Sequence, residues 1–239
     1  VWLWQPAAWP WWVGALIANH LVLMLAGLWP RSTLLGENWC RLPSAAARLG
    51  GIAITIDDGP DPEVTPAVLE ILTGHGVKAT FFCTGVRAEA HPGLIAAIVA
   101  AGHAVENHSY AHRHDFSLFG PWRMRGDIVS AQAVLSGLAG RSPGFFRAPA
   151  GLRNPFLDPV LAGLGLRLAS WTRRGLDTRE PDPARVLARL GRGVTPGAIL
   201  LLHDGNARRS ASGRAVILDV LPPLIERIRA AGLQTITLH

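Results

Sequence analysis

At 239 residues, 49% hydrophobic and 17% charged, the chain is long and apolar enough to bury a core, which excludes a disordered polymer, and its 26 glycines follow no collagen-like period. The net charge of +6 is carried almost wholly by arginines scattered along the chain, Lys78 being the one lysine, so the clustered basic patch of a nucleic-acid surface is missing. Cys40 and Cys83 are too few and too far apart for a disulfide framework or a zinc knuckle.

Residues 1–30 carry no charged side chain, and seven of the nine tryptophans lie at or before Trp39. The run from Trp11 to Leu28 is interrupted only by Asn19-His20; as a helix it would cover roughly 27 Å, near the lower limit for crossing a hydrocarbon core. Trp9, Trp11, Trp12 and Trp29 bracket it as interfacial aromatics do, and Pro30-Arg31 ends it. With no positive n-region or small-residue cleavage site in view, the expectation is a membrane anchor in contact with lipid through residues 11–29. The alternative is an apolar helix packed on the body. The chain opens at Val1 rather than Met, which leaves room for an earlier segment. Arg31, Arg41 and Arg48 after the run lean, by the positive-inside rule, towards a body on the cytoplasmic side of a bacterial inner membrane without fixing that side. The expected organisation is a Trp-rich apolar segment at 1–40, a linker at 41–50 and a globular body at 51–239.

Through the body, short β-rich runs alternate with apolar helical stretches. Strands are expected at Ile52–Ile56, Ala79–Cys83, His103–Glu106, Gly144–Arg147, Leu166–Trp171, Ala198–His203 and Gln234–Leu238. Helices are expected at Thr65–Thr73, Gly93–Ala101, Arg123–Leu138, Pro155–Leu164, Pro183–Leu190 and Arg214–Ala231. This alternation predicts an α/β fold, a distorted barrel of about seven parallel strands, because no Gly-rich phosphate loop follows the first strand. In such folds, side chains at the C-terminal ends of strands collect at one face.

Those ends are polar. The first strand closes in Asp57-Asp58-Gly59-Pro60, two adjacent carboxylates that point in different directions and can serve one site in two roles, although Asp-Gly-Pro is also ordinary turn chemistry. The third runs into His108 and His112, which on a helical turn would share one face and, joined by a carboxylate from another strand, would leave positions open on Zn²⁺. Arg147-Ala148-Pro149-Ala150-Gly151 closes the fourth, Trp171 and Asp177 follow the fifth, and Leu201-Leu202-His203-Asp204 ends the sixth. Singly each has a dull reading as a surface Arg, a packed Trp or a satisfied His; five such clusters at five strand ends do not.

In motif order, residues 50–239 resemble the polysaccharide deacetylase family, the carbohydrate esterases with a NodB-like domain. Thr55–Pro60 resembles its Thr-Phe-Asp-Asp-Gly-Pro motif with Ile56 for Phe, His108–His112 its His-Ser/Thr-x-x-His, Arg147–Gly151 its Arg-x-Pro-x-Gly and Leu201–His203 its Leu-x-His. At the fourth motif, Asp177 matches, but Thr178 replaces a Trp. The resemblance implies that Asp58, His108 and His112 hold a metal, usually Zn²⁺ although another divalent transition metal would serve, that activates water and polarises the amide carbonyl. It further implies Asp57 as general base and His203 as general acid for the leaving amine. Arg147 would orient Asp57 and hold it ionised, with Asp177 behind it, and the backbone N–H of Ala150 would stabilise the oxyanion, with Trp171 and Leu201 lining the substrate pocket. The implied activity is removal of an N-acyl group, acetyl foremost, from an amino sugar of a glycan or lipid-linked saccharide. The alternatives are a deformylase of an undecaprenyl-phosphate-linked sugar and an inactive sugar-binding or scaffold module.

Overall fold

The computed structural model describes residues 6–238, so the first five residues of the expected apolar segment, and the last of the body, lie outside it. Helices α1 (Trp9–Leu28) and α2 (Ser44–Arg48) precede strand β1 (Gly51–Asp57). There follow α3 (Thr65–Gly74), β2 (Thr80–Cys83), α4 (Gly85–Ala90), α5 (Pro92–Ala100), β3 (Ala104–Asn107), α6 (Pro121–Ala139), β4 (Phe145–Phe146), α7 (Leu157–Ala162), β5 (Arg167–Leu168) and β6 (Arg173–Arg174). The chain ends with α8 (Pro183–Gly191), β7 (Ile199–His203), α9 (Val216–Ala230) and β8 (Gln234–Thr235).

Seven parallel strands lie in the order β5-β4-β3-β2-β1-β7-β6, and β8 pairs with the start of β1. This is the expected distorted barrel. β1 is buried along its whole length because both its faces are covered. Its alternation sorts the core: Ile52, Ile54 and Ile56 pack outward with Leu200, Leu202 and the apolar faces of α3, α8 and α9, while Ala53 packs inward with Phe82, Phe145, Ala169 and Ile199. On that alternation Thr55 and Asp57 fall on the inward side with Ala53, which carries a carboxylate to the C-terminal rim. The β1–β7 register then sets Thr55 beside Leu201 and Asp57 beside His203.

Several elements differ from the sequence reading. The expected strand Leu166–Trp171 forms a ladder only at Arg167–Leu168, and the next strand is Arg173–Arg174, paired with Leu200 and Leu201. Helices α2 and α4 have no counterpart in the sequence reading, and the expected strand Gln234–Leu238 forms a ladder only at Gln234–Thr235. The segment before β1 packs on the body: Trp39 pairs with Ala169, just after β5, Arg41 pairs with Ala198, just before β7, and Leu42 is buried in the inner cluster.

Helix α1 is long and apolar enough to cross a membrane, and of its residues only Ala26 and Gly27 are buried, against side chains such as Trp11 that are 82% exposed. Its end is tied to the body, where the backbone N–H of Arg153 donates to the Gly27 carbonyl at 3.2 Å and a Cβ on Gly27 would strike the Arg153 carbonyl. A chain shortened to begin at Pro30 is therefore expected to fold, whereas one beginning at Ala45 loses Leu42 and both pairings. Removing one buried Leu side chain costs about 2–5 kcal/mol, so thermal unfolding of the shorter chain is expected to fall by roughly 10 °C; equal melting of the two chains would show that residues 30–44 are dispensable.

Candidate active site

The inward face of β1 delivers Asp57 to the rim, and Arg147, at the end of β4, reaches it through the barrel interior. The Arg147 guanidinium is 1% exposed and stacks 3.9 Å above the Phe82 ring. It donates to Asp57 Oδ1 at 2.6 Å, to the Thr55 hydroxyl at 2.8 Å, to the Ser170 carbonyl at 2.8 Å and to the Ala169 carbonyl at 3.1 Å. Every partner fixes the orientation of Asp57 through one planar donor fork.

The next residue turns the opposite way. Asp58 has a φ of 74°, a left-handed conformation that is rare for a residue with a Cβ, and its carboxylate leaves Asp57 to meet the histidines. Asp58 Oδ1 lies 3.1 Å from His108 Nε2 and 3.1 Å from His112 Nε2, and one ligand atom from each of the three residues lies within 4.8 Å of the others. His108 Nδ1 donates to the Arg147 carbonyl at 2.8 Å, which fixes the ring with Nε2 turned to Asp58. Burial would raise the Asp58 carboxyl, but hydrogen bonds from His108 and His112 outweigh it and hold the group below the usual carboxylate range.

The two histidines do not share a helical turn. Ser109 and His112 have φ values of 68° and 47°, so the loop coils back on itself, and the Ser109 hydroxyl accepts from the His112 backbone N–H at 3.0 Å. Asp127 of α6 steadies the same loop by accepting from the Tyr110 N–H at 2.9 Å.

Across the cleft, His203 at the end of β7 is gripped twice by Asp177: its Nδ1 donates to Oδ1 at 3.0 Å and its backbone N–H to Oδ2 at 2.7 Å. Asp177 is thus the partner of His203, not the residue behind Arg147. Burial of the ring works against its charge, but the attraction and hydrogen bond of Asp177, aided by Asp58 and Asp57, push His203 up to about 9. The imidazole is then protonated near neutral pH.

These groups face a cleft of about 380 Å³ that also contains Ala150, Trp171 and Leu201, so every residue singled out in the sequence except the fully buried Arg147 and Asp177 lines it. Ala150 has a φ of 55° in the turn after β4. Thr178, where a Trp was expected by resemblance, also borders the cleft, with Arg174, Arg179 and His114. The sequence reading missed Asn206, whose Nδ2 donates to Asp58 Oδ2 at 3.0 Å; its only signal is its place three residues after His203. It also missed the structural need for Gly205, where a Cβ would strike the Asp58 carbonyl.

The profile of the family described as polysaccharide deacetylase matches residues 47–169. The chain is 36% identical over 190 residues to a chitooligosaccharide deacetylase of Azorhizobium caulinodans, covering 76% of this chain and 89% of the relative. It is 33% identical over 175 residues to a peptidoglycan-N-acetylglucosamine deacetylase of Bacillus cereus, covering 72% and 81%. Among solved structures, a family 4 carbohydrate esterase from Streptomyces lividans in complex with acetate superposes with a TM-score of 0.71 at 31% identity, over 78% of this chain and 91% of that one.

Proposed function

The chain belongs to the polysaccharide deacetylase family of hydrolases, and on that premise we propose that it removes the N-acetyl group from an amino sugar of a glycan such as a chito-oligosaccharide or peptidoglycan, with a metal held by Asp58, His108 and His112 and with α1 anchoring it in a bacterial inner membrane. One carboxylate and two imidazoles, one of them fixed with Nε2 turned to that carboxylate, are the donor chemistry of a catalytic zinc site with open positions. When bound, the metal supplies a Lewis acid that activates water and polarises the amide carbonyl.

The residues supply the rest. Asp57, held by Arg147, accepts the proton of the attacking water. His203, charged through Asp177, protonates the departing amine, which is too poor a leaving group as an anion. Trp171 and Leu201 form an apolar wall suited to the acetyl methyl, and the Ala150 backbone N–H serves the developing oxyanion. The observation that carries this reading is the pairing of opposed roles around one cleft: a carboxylate fixed by a buried Arg on one side, and an imidazole kept protonated by a buried Asp on the other.

The test is acetate release from N-acetylated chito-oligosaccharides and peptidoglycan fragments by the full chain, zinc-loaded and after chelation. Release that chelation abolishes is the expected result; no acetate from any substrate, or release indifferent to chelation, would overturn it, and formate from N-formylated sugars in place of acetate would reassign the acyl group.

Because His203 is raised, its protonated form, and the stabilisation it draws from Asp177, is fully present below the ordinary histidine value of about 6.5 and is lost as pH rises through about 9. Activity is therefore expected to fall on an alkaline limb near pH 9. Asp177→Asn removes the largest raising influence and should move that limb towards neutrality while lowering kcat; an unmoved limb in the pH profile of kcat would show that His203 is not the titrating acid.

A further inference from the structure

A second groove, of about 480 Å³, adjoins the cleft and shares Trp171 and Arg174 with it. Its apolar side is the last turn of α1, Leu25, Leu28 and Trp29, and its basic side is Arg31, Arg173 and Arg174. The junction is rigid. Pro30 O accepts from the Ser170 hydroxyl at 2.6 Å and from Asn38 Nδ2 at 2.8 Å. Gly151, on the cleft wall, has no room for a Cβ, which would stand 2.5 Å from the Trp171 ring and 2.8 Å from Pro30. The outgoing end of the apolar helix and the wall of the active site are thus one packed unit.

Charge marks what the groove suits. Among the described residues, none of Arg31, Arg173 and Arg174 forms an ion pair, a state they share with Arg48, Arg125 and Arg192 elsewhere on the body, but these three converge on one groove with an apolar wall. Arg174 Nε is buried without a hydrogen-bond partner, at the boundary between groove and cleft. Three guanidinium groups outside any ion pair, beside an apolar wall, are complementary to a phosphate with a hydrocarbon chain. With α1 in a bilayer, its last turn lies at headgroup level, where such a molecule resides.

Resting on the deacetylase reading, we propose that this groove binds the phosphate and first chain units of a membrane-embedded lipid phosphate that carries the N-acylated amino sugar, delivering the sugar into the adjoining cleft. Trp171 faces both compartments, so the sugar needs no more than to pass that ring. The occupant is the substrate's own lipid phosphate rather than bulk anionic phospholipid, because the groove is continuous with the reacting groups.

The test is calorimetric titration of the full chain in a neutral detergent with farnesyl phosphate, with farnesol and with phosphatidylglycerol, alongside acetate release from chitotetraose and from N-acetylglucosamine 1-phosphate esterified to farnesol. Farnesyl phosphate should bind and farnesol should not. The Arg31→Gln/Arg173→Gln variant should weaken that binding about tenfold or more, as expected for losing charge-assisted hydrogen bonds, and the Arg31→Lys/Arg173→Lys variant should recover much of it. The preference for the farnesyl-linked substrate over chitotetraose should fall by a similar factor in the Gln variant. Equal binding of farnesol, binding indifferent to the arginines, or phosphatidylglycerol binding as tightly as farnesyl phosphate would overturn the proposal. Hydrolysis of chitotetraose without phosphate-dependent binding would sink the groove alone; phosphate-dependent binding without hydrolysis of any N-acetylated sugar would sink the deacetylase reading alone.

Discussion

Asp57→Asn is expected to keep its metal and lose about 10²–10⁴ in turnover, the usual cost of removing a general base, whereas Asp58→Asn is expected to lose metal first and activity as a consequence. The two residues are neighbours in sequence, yet the β1 alternation sends Asp57 inward to Arg147 at 2.6 Å while the left-handed backbone at Asp58 turns its carboxylate to both imidazoles at 3.1 Å. Asp57 Oδ2 stands farther off, 3.8 Å from His108 Nε2. Asn at position 57 still accepts from Arg147 but cannot take a proton from water. Zinc content by atomic absorption, measured beside kcat, separates the two variants; equal metal loss in both would mean that the aspartates have been given each other's roles.

Arg147→Leu is expected to cost about 3–5 kcal/mol, the effect of breaking a buried ion pair from one side, and to lower Tm by on the order of 10 °C. The substitution leaves the Asp57 carboxylate buried without its cation and strips a donor from the carbonyls of Ala169 and Ser170. Part of the loss should return in Arg147→Leu/Asp57→Leu, since the unpaired charge is then gone. Thermal unfolding decides: a single variant melting within a degree of the parent would show that the pair carries no stability, and a double variant no better than the single would place the loss in packing against Phe82 instead.

The parts of this architecture legible in the sequence are those in which local pattern and tertiary role coincide. β1, β2 and β7 are apolar runs long enough to be buried on both faces, and each stops where its backbone meets the rim, so Asp57, Asp58 and His203 announce themselves as polar residues ending hydrophobic strands. β6 has no such signature: Arg173-Arg174 is a charged dipeptide that becomes a strand only because Leu200 and Leu201 offer it a free edge. Histidines four apart fit a helical turn equally well on paper, and only the positive φ of Ser109 and His112 shows that they converge through a coiled loop. Long-range closure was equally hidden. Nothing near Trp39 or Arg41 indicates that they pair with Ala169 and Ala198, more than a hundred residues away, and Asp177 reaches His203 across 26 residues by virtue of the fold alone.

The most direct measurement is an anomalous-diffraction map at the zinc edge from crystals of the full chain loaded with zinc. A single peak is predicted in the cleft, with His108 Nε2, His112 Nε2 and an Asp58 oxygen at the Zn–N and Zn–O distances of about 2.0–2.2 Å, and with Asp57 and His203 facing it unligated. A peak elsewhere, a cleft without zinc, or His203 and Asp57 among the ligands would contradict the division of labour between metal holders, base and acid.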